Sequence, residues 1–277
     1  MNTPAQRTSI EAFLAGVLTR SEKLSYYASS RGWGFIMTWA HRVAGLIIVL
    51  YMFFHIVTLS GLYAPAKFAS NMDFIHNFFF GFLEWVLAIP VIFHALNGAR
   101  LILYEFFRVR DDAAMIRWVL VLSVLYVFSL GVFMLMGNQH VSVGFFWFTI
   151  FIVSLISAVV VYRKLWPTRN NGFWKLQRIS GAFLLPMVSG HILFMHLNYQ
   201  AGHDINTILV RVSSIGIKAI DSAFVILVFF HAGFGLNTII GDFVENTRLK
   251  TVLTVVTTVV MTIFAYAGTK LIISVNP

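Results

Sequence analysis

The chain has 277 residues, 58% hydrophobic and only 11% charged, with mean hydropathy +0.81 and no cysteine. A soluble fold of this size carries roughly a quarter charged residues, so most of this chain faces lipid, and disordered, collagen-like and coiled-coil readings are excluded with the soluble one. The missing cysteines exclude disulfides, zinc–thiolate sites, iron–sulfur ligation and c-type haem attachment. The formal charge of +9 reads as Lys and Arg retained on one side of a membrane, not as a nucleic-acid surface.

In chain order, residues 1–34 form a polar, basic cytoplasmic arm, with an apolar patch from Ile10 to Leu18 able to lie on the membrane surface and no cleavable signal peptide expected. Seven apolar runs follow, each long enough to span at about 20 residues and 1.5 Å per residue. They are predicted near 36–62, 78–106, 118–137, 143–162, 179–199, 213–241 and 251–273. Only Asn138-Gln139-His140-Val141-Ser142 separates the third from the fourth. With the N-terminus inside, all 20 basic residues but Lys67, Arg211, Lys218 and Lys270 fall on inner segments. The positive-inside rule then gives an all-α integral membrane protein, N-in and C-out.

An internal repeat organises these spans. Arg42-x-x-Gly45 opens the first span, with His55 thirteen residues after the Arg; Arg178-x-x-Gly181 opens the fifth, with His191 thirteen after its Arg. The second span carries His94, Gly98 and Glu105, and the sixth carries His231, Gly235 and Asp242 at the same mutual spacings. The offset is 136 residues for the first set and 137 for the second. This predicts a first three-helix repeat over 35–137, a linking transmembrane helix over 138–163 and a second repeat over 164–277. A three-helix unit ends on the side opposite its start, so the extra crossing lets the second repeat begin in the same orientation. The repeats are then parallel, with equivalent residues at equal depth.

Polar side chains inside a membrane are costly and usually functional. His55, His94, His191 and His231 are the repeat-matched, mid-span histidines among nine. Equal depth pairs His55 with His191 and His94 with His231, and each pair can offer an imidazole to either face of a flat macrocycle. Bis-His ligation saturates iron and suits electron transfer. Counting along the spans puts the two pairs about 10 Å apart in depth, the spacing of a stacked relay. His196 rivals His191 but has no counterpart, since Ser60 occupies the matching position. Packing or hydrogen bonding is the other reading of any single histidine. Gly98 and Gly235, four residues after a His, either make room for a macrocycle or serve close helix packing. Arg42, Arg100 and Arg178 offer forked donors to propionates or quinone oxygens, or else snorkel to head groups. Trp33 and Trp39 read as interfacial anchors.

His41-Arg42-x-x-Gly45 followed by His94-x-x-x-Gly98-x-Arg100 resembles the large cytochrome b anchor of succinate:quinone oxidoreductases. His231-x-x-x-Gly235 with Asp242 resembles the small anchor subunit, so the chain looks like a fusion of the two, with the fourth span outside the resemblance. The resemblance implies an anchor that binds haem b and quinone, served by a flavoprotein subunit and an iron–sulfur subunit, in succinate dehydrogenase or fumarate reductase. Mono-haem members use the histidines that map to His94 and His231; di-haem members add the pair that maps to His55 and His191. All four are present, which favours two haems over one and menaquinone over ubiquinone. The family's inner quinone site maps to Thr38, His41-Arg42 and Phe243, where Phe243 replaces a phenolic donor. In di-haem members the quinone reacts near the outer haem, which makes Glu84 the candidate to exchange the quinol proton; its other reading is a buried or head-group-exposed acid.

The expected location is a bacterial or archaeal cytoplasmic membrane. No nucleotide, flavin or dicarboxylate motif is present, so the chain is not expected to oxidise succinate alone. Two other classes fit less of the pattern: a bis-His cytochrome b anchor of another membrane redox enzyme, and a non-redox seven-helix transporter whose purified form is colourless.

Overall fold

The structure, a computed structural model, describes residues 22–75, 77–198 and 204–275. Most of the predicted arm, including Ile10–Leu18, lies outside the described residues, as do His76 and His203. The described residues form nine α-helices and one 3₁₀ turn: α1 Glu22–Leu59, the turn Ser60–Tyr63, α2 Pro65–Ile75, α3 Phe78–Phe106, α4 Asp112–Met136, α5 Val143–Leu165, α6 Gly172–Leu197, α7 Ile205–Ser213, α8 Ile215–Phe243 and α9 Thr247–Ser274. No strand occurs among them. Seven of these helices are long and apolar enough to cross a membrane, at the seven places the apolar runs predict. The short helices α2 and α7 were not foreseen; they lie between the first and second spans and between the fifth and sixth.

The chain divides into two compact units, residues 1–43 and 44–277. In the first, α1 is interrupted at Gly32, whose φ of +73° only glycine adopts without strain. The second holds the rest of α1 and all later helices. There α6 is the most enclosed span, packed against α3, α4, α5 and α8, while α8 pairs with α9 and α3 with α4. Elsewhere the spans are apolar all round and turn large side chains outward, as lipid permits: Leu135 is 91% exposed and Phe78 89%. The helix ends are chemically closed. Asn77, Asp111, Asn171, Asp204 and Asn246 accept first-turn N–H groups of α3, α4, α6, α7 and α9. Lys175 Nζ donates to the carbonyls of Trp166 and Thr168 beyond α5, at 2.8 and 2.6 Å. The Asn138–Ser142 turn is clamped to the end of α6, where Asn198 Oδ1 accepts from Val141 N–H and Asn198 Nδ2 donates to Val141 O, both at 2.7 Å.

The α5–α6 contact depends on a glycine. A Cβ on Gly190 would lie 2.7 Å from Ile150 Cγ2 and 2.8 Å from its Cγ1 and Cδ1. Cγ2 is fixed to the β-carbon and cannot swing away. Gly190→Ala is therefore expected to destabilise the protein by about 1–3 kcal/mol, the usual range for overpacking. A melting temperature in detergent equal to wild type would show that the two helices can separate at no cost.

Candidate functional site: two facing histidine pairs

His55, from the part of α1 within the second unit, faces His191 of α6, with ring centroids 6.3 Å apart and planes at 77°. His94 of α3 faces His231 of α8 at 6.2 Å and 87°. These are the pairings that equal depth predicts. A ligating imidazole nitrogen sits about 2 Å from a transition metal and the ring centre about one ångström further back, so two imidazoles trans across a metal have centroids about 6 Å apart. Each pair has that separation. His196 instead directs Nδ1 to the carbonyl of Ile192 in its own helix, at 2.8 Å, and His191 is the residue that faces His55. Among the described residues no group of three or more His, Asp or Glu gathers as a metal site; these donors come in twos.

Around His94–His231 the local chemistry repeats between the halves. The ring of His231 lies over Gly181 and that of His94 over Gly45; a Cβ on either glycine would be 3.1 Å from the imidazole Cε1. The Arg-x-x-Gly motif thus brings a bare backbone against a histidine. Gly235, read from sequence either as room for a macrocycle or as a close helix contact, would with a Cβ lie 3.7 Å from Gln177 Nε2. His231 Nδ1 is within 3.2 Å of Ser180 Oγ and 3.3 Å of the Gln177 carbonyl. Bonding to that carbonyl makes Nδ1 the protonated nitrogen and leaves Nε2 as the lone-pair donor.

The other pair has different neighbours. Tyr51 stacks on His55 at 5.4 Å with its hydroxyl 3.4 Å from Nδ1, and Glu84, half-buried on α3, is near enough to interact with the Tyr51 hydroxyl. His191 is flanked by Trp147 at 5.9 Å and Phe224 at 5.6 Å. Trp147 is fully buried and donates its indole N–H to Asp221 at 2.7 Å. Arg211 of α7 stands over the same indole, 5.5 Å from its centroid.

The remaining predicted residues take up more local duties. Arg178 pairs with Glu105 at 3.5 Å and stacks on Trp174 at 4.1 Å. Arg100 is buried, donates Nε to Asn97 at 2.8 Å and pairs through Nη1 with Asp112. In the first unit, Thr38 donates its hydroxyl to the Gly34 carbonyl at 2.8 Å, and Arg42, next to His41, stands 6.0 Å over Trp39. Phe243 is 50% exposed at the end of α8. Sequence reasoning missed Tyr51, Ser180, Trp147, Asp221 and Arg211. Tyr51 was findable, one helical turn before His55. Trp147 and Asp221 are 74 residues apart, and no local pattern connects them.

Seven apolar helices enclosing two imidazole pairs define an integral membrane protein with paired intramembrane donors. The profile of the succinate dehydrogenase/fumarate reductase transmembrane subunit family matches residues 19–132 and 161–265, well over half of the chain, and the chain belongs to that family. The succinate dehydrogenase 2 membrane subunit SdhC of Mycobacterium tuberculosis is 33% identical over 67 residues, 24% of this chain and 49% of the relative. The chain thus spans about half the length of that relative. No solved structure matches the chain.

Proposed function

We propose that this chain is the haem b- and quinone-binding anchor of a succinate dehydrogenase or fumarate reductase complex, moving electrons between an iron–sulfur subunit and membrane quinone. The observation that carries the reading is the two imidazole pairs, each at the separation of trans ligands. The donor set fits haem b: neutral imidazoles inside an apolar bundle, with carbonyl, hydroxyl or indole neighbours and no thiolate in the chain. When bound, haem b supplies one-electron steps with its iron coordinatively saturated. We assign His94 and His231 to one haem and His55 and His191 to a second.

The protein's own contribution is orientation and proton handling. Ser180 and the Gln177 carbonyl set the tautomer of His231, and Tyr51 steadies His55, so that each presents Nε2 inward. Glu84 is the group we assign to quinol proton exchange; its interaction with Tyr51 connects it to the His55 end of the bundle. The inner alternative keeps Thr38, His41 and Arg42, and Arg178 is its repeat-matched cation; Thr38 has already committed its hydroxyl hydrogen to Gly34, which supports the outer site. The membrane orientation is N-in and C-out, the quinone menaquinone, and the membrane the cytoplasmic one of a bacterium or archaeon. The organisation is the arm 1–34, the repeat 35–137, the linking helix 138–163 and the repeat 164–277; the two separately matched stretches support it. A flavoprotein and an iron–sulfur subunit complete the enzyme, and this chain alone does not act on succinate.

A pyridine haemochromogen assay on the purified complex tests the reading. Two haems b per chain are expected, falling to one when His55 and His191 are both changed to Ala. A single haem in the wild type would return the quinone to Thr38 and Arg42, and a colourless protein would overturn the cytochrome reading. Ser180→Ala is expected to weaken haem retention at the His94–His231 pair about tenfold, the lower end for losing a group that orients a ligand, because the Gln177 carbonyl remains. Haem loss on dilution into apomyoglobin measures it; unchanged loss would remove Ser180 from the site.

A further inference from the structure

We infer that Arg211 is the receptor for the anionic edge of the haem held by His55 and His191, taking a propionate carboxylate on its guanidinium while Trp147 and Asp221 hold it in place. This rests on the two-haem reading above.

Arg211 stands out because two of its guanidinium nitrogens have no acceptor. Its Nε and Nη1 are both buried and have no hydrogen-bond partner among the described residues. A buried guanidinium without an acceptor is costly, and such a group in a native fold points to a missing anion. The side chain is not loosely placed: its cationic plane stands over Trp147, and Trp147 is itself tied to Asp221 at 2.7 Å. Trp147 also touches His191, which puts Arg211 one indole away from the histidine pair.

Asp221 alone does not answer the guanidinium. No ion pair joins them among the described residues, and Asp221 already accepts from Trp147. The unpartnered Nε and Nη1 call for an acceptor carrying negative charge, and a carboxylate supplies charge-assisted bonds to a guanidinium. The pattern also breaks the repeat. At the offset of 136 or 137 residues the counterpart of Arg211 is Ile75 or Phe74, so the charge serves only one of the two pairs. A phosphate on a lipid head group offers the same chemistry, because Arg211 also borders an open groove of about 380 Å³ with Asn206, Thr207 and Val210.

A unit charge about 10 Å from a redox centre at an effective dielectric near 20 changes a one-electron equilibrium about tenfold, which is about 59 mV. A cation favours the reduced form. Redox titration of the purified complex, followed in the haem b absorption bands, should therefore show one of two potentials lowered by about this amount in Arg211→Gln, the other unmoved, and most of the loss restored in Arg211→Lys. Two haems with wild-type potentials would overturn the assignment, as would an equal shift of both. Loss of bound anionic phospholipid with both potentials unchanged would transfer the site to a lipid phosphate and overturn it too. If Arg211→Gln does not accumulate, Arg211→Lys is read by itself: it keeps the charge and loses the fork, so faster loss of one haem into apomyoglobin supports the proposal, and wild-type retention of both refutes it. A wild-type complex with fewer than two haems fails the parent reading, and this one with it.

Discussion

Changing His94 or His231 to Ala is expected to leave the complex with one haem fewer and to reduce succinate:quinone reductase activity at least 100-fold, while succinate oxidation by a soluble dye acceptor continues. The two rings face each other at 6.2 Å, so on the reading proposed above either variant would hold the haem with one imidazole in place of two. His55 is engaged with His191. Disturbing one ligand-orienting contact costs about 10–100-fold in affinity or activity, so deleting a ligand outright should exceed it. The dye assay separates the outcomes, since it bypasses the membrane subunit. Wild-type quinone reduction in both variants, with the haem content unchanged, would remove this pair from the electron path.

The second large effect concerns Arg100. It is only 5% exposed and sits at the end of α3, bonded to Asn97 and paired with Asp112 at the start of α4. Asp112→Asn removes the countercharge and leaves the buried guanidinium with neutral amides alone. Breaking a buried pair from one side costs about 3–5 kcal/mol; Asp112 is 36% exposed, which places the expectation at about 3 kcal/mol. Removing both charges, Arg100→Leu with Asp112→Asn, should recover most of that, since an apolar replacement of a buried pair is close to neutral. Unfolding in mixed micelles gives both numbers. Equal destabilisation by the single and double variants would mean that Arg100 contributes through its bonds and not through its charge. The sequence left Arg100 between a haem or quinone contact and snorkelling to head groups; its Nε is spent on Asn97 in its own helix and its Nη1 on Asp112 across the α3–α4 connection.

The spans and the histidine pairing were legible because both are periodic. Apolar runs of spanning length need no knowledge of packing, and a repeat at constant offset converts sequence separation into depth. His191 was separable from His196 by the same device, with no contact known. Side-chain partners were not legible. Ser180 reaches His231 across 51 residues and Trp147 reaches Asp221 across 74, and such contacts exist only once α6 and α8, and α5 and α8, have packed. The short helices α2 and α7 were missed because neither is long enough to register as a span, although each follows a span's end with turn-forming residues. The role of Gly45 and Gly181 was half legible. Their place in the repeat was plain, but that a histidine from the next spanning helix rests on each required coordinates.

Each histidine pair takes one ring from before α5 and one from after it: His55 with His191, and His94 with His231. A ribosome must therefore have made residue 231 before the second of these pockets can exist, and residue 191 before the first. On the reading proposed above, pigment enters this protein late in its manufacture, after five of seven crossings at one pocket and six at the other. The two halves, joined as one polypeptide, are also made in strict equality, so a cell never holds one half-pocket without its mate.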